Sequence, residues 1–143
     1  MFELGRAVTR EYIASVLGGS AEPYLPQDQT GRVVAACVRF DLNPDAPEVI
    51  LPGTGPVIEA SAKEFCKGYA VPTFVKLAVG EWMFVGRYRV VRRTTDLEVV
   101  EQHQAKAELL GRGRKGSERI TMVLYLEPAG DYYDLRIEGV RKP

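Results

Sequence analysis

At 143 residues the chain is long enough to bury a real core and short for a two-domain enzyme, so a single domain is expected. Nineteen Lys and Arg balance nineteen Asp and Glu, which excludes a global positive field and restricts any nucleic-acid binding to a local patch. Cys37 and Cys66 lack metal-ligand spacing and sit in apolar runs, and no apolar leader or membrane-length segment occurs. The expectation is a soluble cytoplasmic protein with reduced thiols, no metal, no cofactor and no membrane partner.

In chain order, Val8, Tyr12, Ile13, Val16 and Leu17 mark one face of a short helix from about Thr9 to Leu17, with Thr9 as N-cap and Gly18 and Gly19 as its stop. The run Val33 to Phe40 is almost continuously apolar and β-branched, which suits a buried strand. Pro44 and Pro47 break the chain before a brief strand, EVIL. A second helix is predicted at about Pro56 to Lys67, with Ile58, Ala62, Phe65, Cys66 and Tyr69 at helical spacing.

VPTFVKLAV and WMFVGRYRVV then read as a hairpin turning at Gly80 and Glu81, with Gly86 marking a bulge or a close approach. Asp96 is placed to cap a third helix from Leu97 to about Leu110, whose weak apolar stripe holds Leu97, Val100, His103, Ala107 and Leu110. GRGRKG closes it as a basic loop. Ile120, Met122, Leu124 and Leu126 alternate, as do Tyr133, Leu135 and Ile137, giving two more antiparallel strands. The sum is a single α+β domain over residues 1–143: a curved, barrel-like, mostly antiparallel sheet of five to seven strands with about three peripheral helices.

The stretch LPGTGP at 51–56 opens the second helix, where glycine-rich loops often hold phosphate. It lacks the Lys and hydroxyl of GxxxxGK[ST], and Ile58 stands where the third Gly of GxGxxG belongs, so neither nucleotide motif is present. Two readings stay open: Gly53, Thr54 and Gly55 offer backbone N–H groups to one phosphate of a nucleic-acid backbone, or the stretch is a tight turn with Pro56 at the first helical position. Catalytic groupings are scarce. His103 is the only histidine, and Asp41, Asp45 and Glu48 lie in a proline-rich loop.

Aromatic and basic residues are more informative. Trp82, the sole tryptophan, opens a strand directly after a turn, and Tyr24, Tyr69, Phe84 and Tyr88 are further rings. Core packing accounts for Phe84 and Tyr88; Trp82 and Tyr24 are either core or a stacking surface for a ligand. Arg87, Arg89, Arg92 and Arg93 put four positive charges on one hairpin arm, and Arg112, Arg114 and Lys115 add a second cluster. Such runs are often solvated faces. Paired with stacking aromatics they also fit a localised nucleic-acid face.

The order VLGG, a Gly/Pro-rich loop, an apolar strand, NPDAPEVILPGTGP, a helix, VPTFVKLAV and WMFVGRYRV resembles the DNA-reading modules at the N-termini of bacterial HNH restriction endonucleases. These are similar to the SRA (SET-and-RING-associated) domain of the PUA-like superfamily. The likeness runs from about Tyr12 to Leu126. It implies a curved β-barrel that flips a modified cytosine, 5-methylcytosine above all, out of duplex DNA into an aromatic pocket. By this resemblance Gly18, Gly19 and Ser20 lie near the pocket or the DNA backbone, and Trp82, Tyr24 or Tyr69 supply a stacking wall. Asp41 is placed as acceptor for the cytosine amino group on chemical grounds alone. Without the histidines an HNH nuclease needs as base and metal ligand, the segment is expected to bind without cutting, alone, as a homodimer, or through a separate nuclease or effector protein. The alternatives are an RNA-binding module or a small PUA-like hydrolase or nuclease of the ASCH type, with His103 or Lys76 as a catalytic group.

Overall fold

The computed structural model describes residues 2–110 and 119–136. The chain runs β1 (Ala7–Val8), α1 (Arg10–Leu17), β2 (Ala36–Val38), β3 (Val49–Ile50), α2 (Pro56–Phe65), β4 (Val71–Ala78), β5 (Glu81–Thr94), α3 (Leu97–Leu110) and β6 (Val123–Tyr132). The local signals explain the helix ends. The Thr9 hydroxyl accepts the Tyr12 N–H at 3.1 Å, and the Gly18 N–H closes on the Ala14 carbonyl at 2.9 Å. Asp96 Oδ1 accepts from Glu98 N at 3.0 Å and Val99 N at 3.2 Å, capping α3 as expected.

Six strands form one sheet in the order β2-β4-β5-β6-β3, with β1 beside β5. Among the described residues only β2 against β4 is parallel, and the other strand pairs are antiparallel. The 14-residue β5 is the spine: Glu81 to Tyr88 pairs with β4, Gly86 to Thr94 pairs with β6, and β1 lies against Trp82 and Met83. One strand shared between successive partners, with register shifts near Gly86 and Val90, curls the sheet into a half-barrel. The architecture is the α+β, PUA/SRA-like one.

Gly86 shows why the curl needs glycine. Its φ is 119°, and a Cβ there would lie 2.8 Å from the Asp131 carbonyl oxygen.

Four expectations change. The strand from Val33 to Phe40 shortens to β2, because Val34 N bonds to Pro26 O and Cys37 N to Tyr24 O, spending its free edge on the preceding loop. The first C-terminal strand runs on to Tyr132 as β6, and Tyr133 and Leu135 of the expected second strand lie past its end, outside any strand. Tyr88 pairs with Pro128 and Gly86 with Tyr132, so the turn-like residues Ala129, Gly130 and Asp131 bulge from β6 rather than ending it; Ile137 lies outside the described residues. The buried stripe of α3 is Val100, Gln104 and Ala107, with Leu97 and Leu110 exposed. Gln104 is tolerated inside because its Oε1 accepts the Ile120 N–H at 2.8 Å. Tyr12 is largely exposed rather than core-facing, with Phe2 edge-on to its ring.

The core has three parts. Phe65 and Ala62 of α2 pack against Val71, Val75, Val85, Tyr88 and Leu124 of the sheet. Ile13 of α1 packs with Ala35, Cys37, Phe74 and Trp82. Val100 and Ala107 of α3 meet Leu51, Ile120 and Val123.

Candidate functional site

Where α1 and the loop after it cross the start of β5, the fold leaves a cavity of about 600 Å³, within the range of small-molecule sites. Its inner end is formed by the buried residues Arg10, Cys37 and Trp82. Tyr24 and Lys76 form half-buried walls, and Glu11, Glu22, Arg39, Val79 and Gly80 are exposed at the mouth.

Both inner cations attend the same indole. The Arg10 guanidinium is 5.1 Å, and Lys76 Nζ 5.7 Å, from the Trp82 ring centroid. Arg10 donates to the carbonyls of Pro23 at 2.7 Å, Glu22 at 3.4 Å and Ser20 at 3.5 Å, which pins the loop after α1. All three acceptors are neutral. Burial pushes the Cys37 thiol up to about 12, the Arg10 charge only partly opposing it, so Cys37 is an inert wall.

Tyr24 divides this cavity from a second one of about 350 Å³, lined by Ser20, Leu25, Gln27, Val57, Ile58 and Ser61 among others. Its hydroxyl donates to the Ile58 carbonyl at 2.8 Å, and burial raises its pKa to about 12, so it stays protonated.

Of the proposed base-pocket residues, Trp82 and Tyr24 share the larger cavity, whereas Tyr69 and Asp41 do not line it. The Tyr69 hydroxyl is engaged on both sides, accepting from Val33 N at 2.8 Å and donating to Glu64 Oε2 at 2.9 Å, while the Arg32 guanidinium covers the ring at 3.8 Å. Asp41 is ion-paired with Arg39, Nε to Oδ1 2.9 Å, in an adjoining depression that shares Arg39, Lys76 and Val79 with the cavity. Trp82, read as either core or a stacking surface, is 7% exposed because its other face meets the Ile13–Phe74 cluster.

The backbone candidates fall in three places. Gly18 and Gly19 end α1 at positive φ, and a Cβ on Gly19 would meet Pro26 Cβ at 2.9 Å. Ser20 borders the smaller cavity. At the start of α2 the Gly55 N–H is taken by Glu59 Oε2 at 3.1 Å, and Pro56 has none. Thr54 is exposed, and Pro52 O accepts the Thr121 N–H at 2.9 Å, so LPGTGP is built as a tethered turn. On β5, Arg89 pairs with Glu127 at 2.6 Å, Arg87 donates to the Ala70 carbonyl at 3.2 Å, and Arg92 lies over the Tyr125 ring. Arg112, Arg114 and Lys115 lie outside the described residues. His103 is half-buried on α3, 3.4 Å from the Tyr125 hydroxyl, and does not line the Trp82 cavity.

A family model described as a domain of unknown function, DUF6697, matches residues 7–120. The chain belongs to the DUF6697 family. That match takes in α1, the loop it pins, both walls of the cavity and all of β5. No curated protein matches this DUF6697 chain. The solved structures that resemble it include two of ScoMcrA. One is the type IV phosphorothioation-dependent restriction endonuclease ScoMcrA, at TM-score 0.51 and 16% identity over 98% of this chain and 28% of that one. The other is the sulfur binding domain and SRA domain of ScoMcrA complexed with phosphorothioated DNA, at TM-score 0.49 and 15% identity over 98% and 45%. The DUF6697 chain therefore spans less than half the length of either. At such identity the likeness concerns the fold.

Arg10 is the functional-site residue that sequence reasoning passed over. It stands three residues before the buried Ile13 and seven before Leu17, on the inward stripe of α1. A charge on a buried stripe was the signal.

Proposed function

We propose that this domain binds duplex DNA and reads a chemical modification on it, taking a modified cytosine out of the stack into the Trp82–Tyr24 cavity without cutting the strand. The observation that carries this reading is the cavity: one indole and one phenol ring bound a space of about 600 Å³ whose inner charges are all positive. Stacking on an aromatic wall contributes about 1–3 kcal/mol per base and offsets part of the unstacking cost, with hydrogen bonds supplying the rest. The likeness to ScoMcrA supports the fold on which such a reader would be built. 5-Methylcytosine is the first modification to test, and a separate nuclease or effector would act on what is bound.

The test is competition binding with one duplex sequence carrying unmodified, methyl- or hydroxymethylcytosine, or a phosphorothioate linkage, beside single strands and RNA, with an assay for cleavage products. A modified duplex should win against its plain counterpart with no product formed. Equal binding of all duplexes would end the reader hypothesis, and product formation would favour the hydrolase.

A further inference from the structure

The inner end of the cavity holds two cations. Neither Arg10 nor Lys76 forms an ion pair among the described residues, and Arg10, 7% exposed, spends its Nη groups on neutral carbonyls while its Nε has no hydrogen-bond partner among those residues. Buried charge is ordinarily paired. The carboxylates nearest in the lining, Glu11 and Glu22, are exposed at the mouth, where solvent screens them, and Asp41 is committed to Arg39. Two positive groups on one indole, with no carboxylate paired to either among the described residues, is an incomplete arrangement.

We propose that this inner end is an oxyanion subsite. Lys76, half-buried and on the wall, contacts the anion, and Arg10 supplies a fixed positive charge beside Trp82. This rests on the reader hypothesis and gives it a substrate class: the modification is a negatively charged substituent on the base, a carboxylate being its simplest form. A methyl group would leave both cations unanswered. A phosphate oxygen of the DNA backbone offers the same chemistry, so the source has to be separated by experiment.

Trp82 is the sole tryptophan, so intrinsic fluorescence reports on the cavity directly. The full chain is titrated with duplexes that differ at one position, 5-carboxylcytosine, 5-methylcytosine or cytosine, and separately with 5-carboxyldeoxycytidine and inorganic phosphate. The carboxyl duplex should bind about tenfold more tightly than the methyl duplex, as expected of one charge-assisted hydrogen bond in a desolvated site. Lys76→Gln should erase that preference, and Lys76→Arg should restore it. Quenching by inorganic phosphate that depends on Lys76, at least as strong as that by the nucleoside, supports the subsite and assigns it to backbone phosphate. If modified duplexes are preferred but Lys76→Gln changes nothing, the subsite is overturned and the reader stands. If no duplex is preferred but either small anion still quenches Trp82 in a Lys76-dependent way, the reader falls and the subsite stands.

Discussion

The Arg10 guanidinium lies 5.1 Å from the centroid of the Trp82 ring, which packs on its other side with Ile13, Cys37 and Phe74. Trp82 therefore serves core and cavity together. Trp82→Ala removes a buried indole and should cost about 3–5 kcal/mol of stability, enough to unfold much of a marginal domain. Trp82→Phe keeps an aromatic face and should cost less, which makes it the variant in which binding can be read. Urea unfolding of the two decides it: an alanine variant as stable as wild type would remove Trp82 from the core.

Gly86 makes a sharper stability prediction. With φ at 119° and the Asp131 carbonyl oxygen 2.8 Å from where a Cβ would sit, Gly86→Ala combines backbone strain with a clash against the paired strand. A loss of at least about 2 kcal/mol is expected. Gly80 has φ 73° with nothing within 4 Å, so Gly80→Ala meets only the strain of positive φ, about 1 kcal/mol. Equal losses in the two variants would mean that the approach of β6 to β5 is not what fixes glycine at 86.

How far the sequence carried these conclusions follows from what each signal depends on. Caps at Thr9 and Asp96 and the bulge at Gly86 are local, and all three were readable. The length of β2 was not, because its edge is filled by the loop that holds Tyr24 and Pro26. The same holds for the site. Trp82 and Tyr24 could be named from ring chemistry, but that they share a cavity while Tyr69 and Asp41 are already bonded elsewhere depends on how side chains pair in the folded chain: Val33 and Glu64 for one, and Arg39 for the other.

Acid should weaken the fold in two steps. Burial pushes His103 below its ordinary pKa, with Asp45 opposing and Lys106 adding to the shift. The unfolded chain then takes up the proton first, so stability falls as pH drops through about 6.5 and levels once the folded histidine also titrates. Asp28, held below its usual value by the Thr30 hydroxyl, and Glu64, held down by Lys67 and then Tyr69, act at lower pH. Their contribution is present above the ordinary carboxylate range and is lost as pH falls through the folded values. Melting temperature against pH should show both declines. His103→Gln should remove the upper one and Asp28→Asn should shrink the lower.

The start of α2 tests whether LPGTGP is a turn or a phosphate site. Glu59 caps the Gly55 N–H, so Glu59→Ala should destabilise the domain by about 0.5–1 kcal/mol, whereas exposed Thr54→Ala should leave folding nearly intact. If the loop met DNA, Glu59→Ala would free an N–H and remove a negative charge, and duplex binding would tighten. Unchanged binding in both variants, measured by titration at fixed salt, is the outcome expected of a turn.

The last prediction concerns the arginines of β5, which lie along a strand that rises about 3.3 Å per residue, so Arg89 stands on the order of 20 Å from Trp82 along the chain. Phosphate contacts there would add affinity without reporting on the base in the cavity. Arg87→Ala and Arg89→Ala should each make the dependence of log affinity on log salt shallower by about one unit, with the ratio of modified to plain duplex binding unchanged. Glu127 holds Arg89 at 2.6 Å and competes with phosphate for it. Glu127→Gln should therefore strengthen binding to every duplex alike at low salt, and the gain should vanish when Arg89→Ala is added. A salt slope that stays at the wild-type value in all of these variants would move the DNA backbone off this arm of β5.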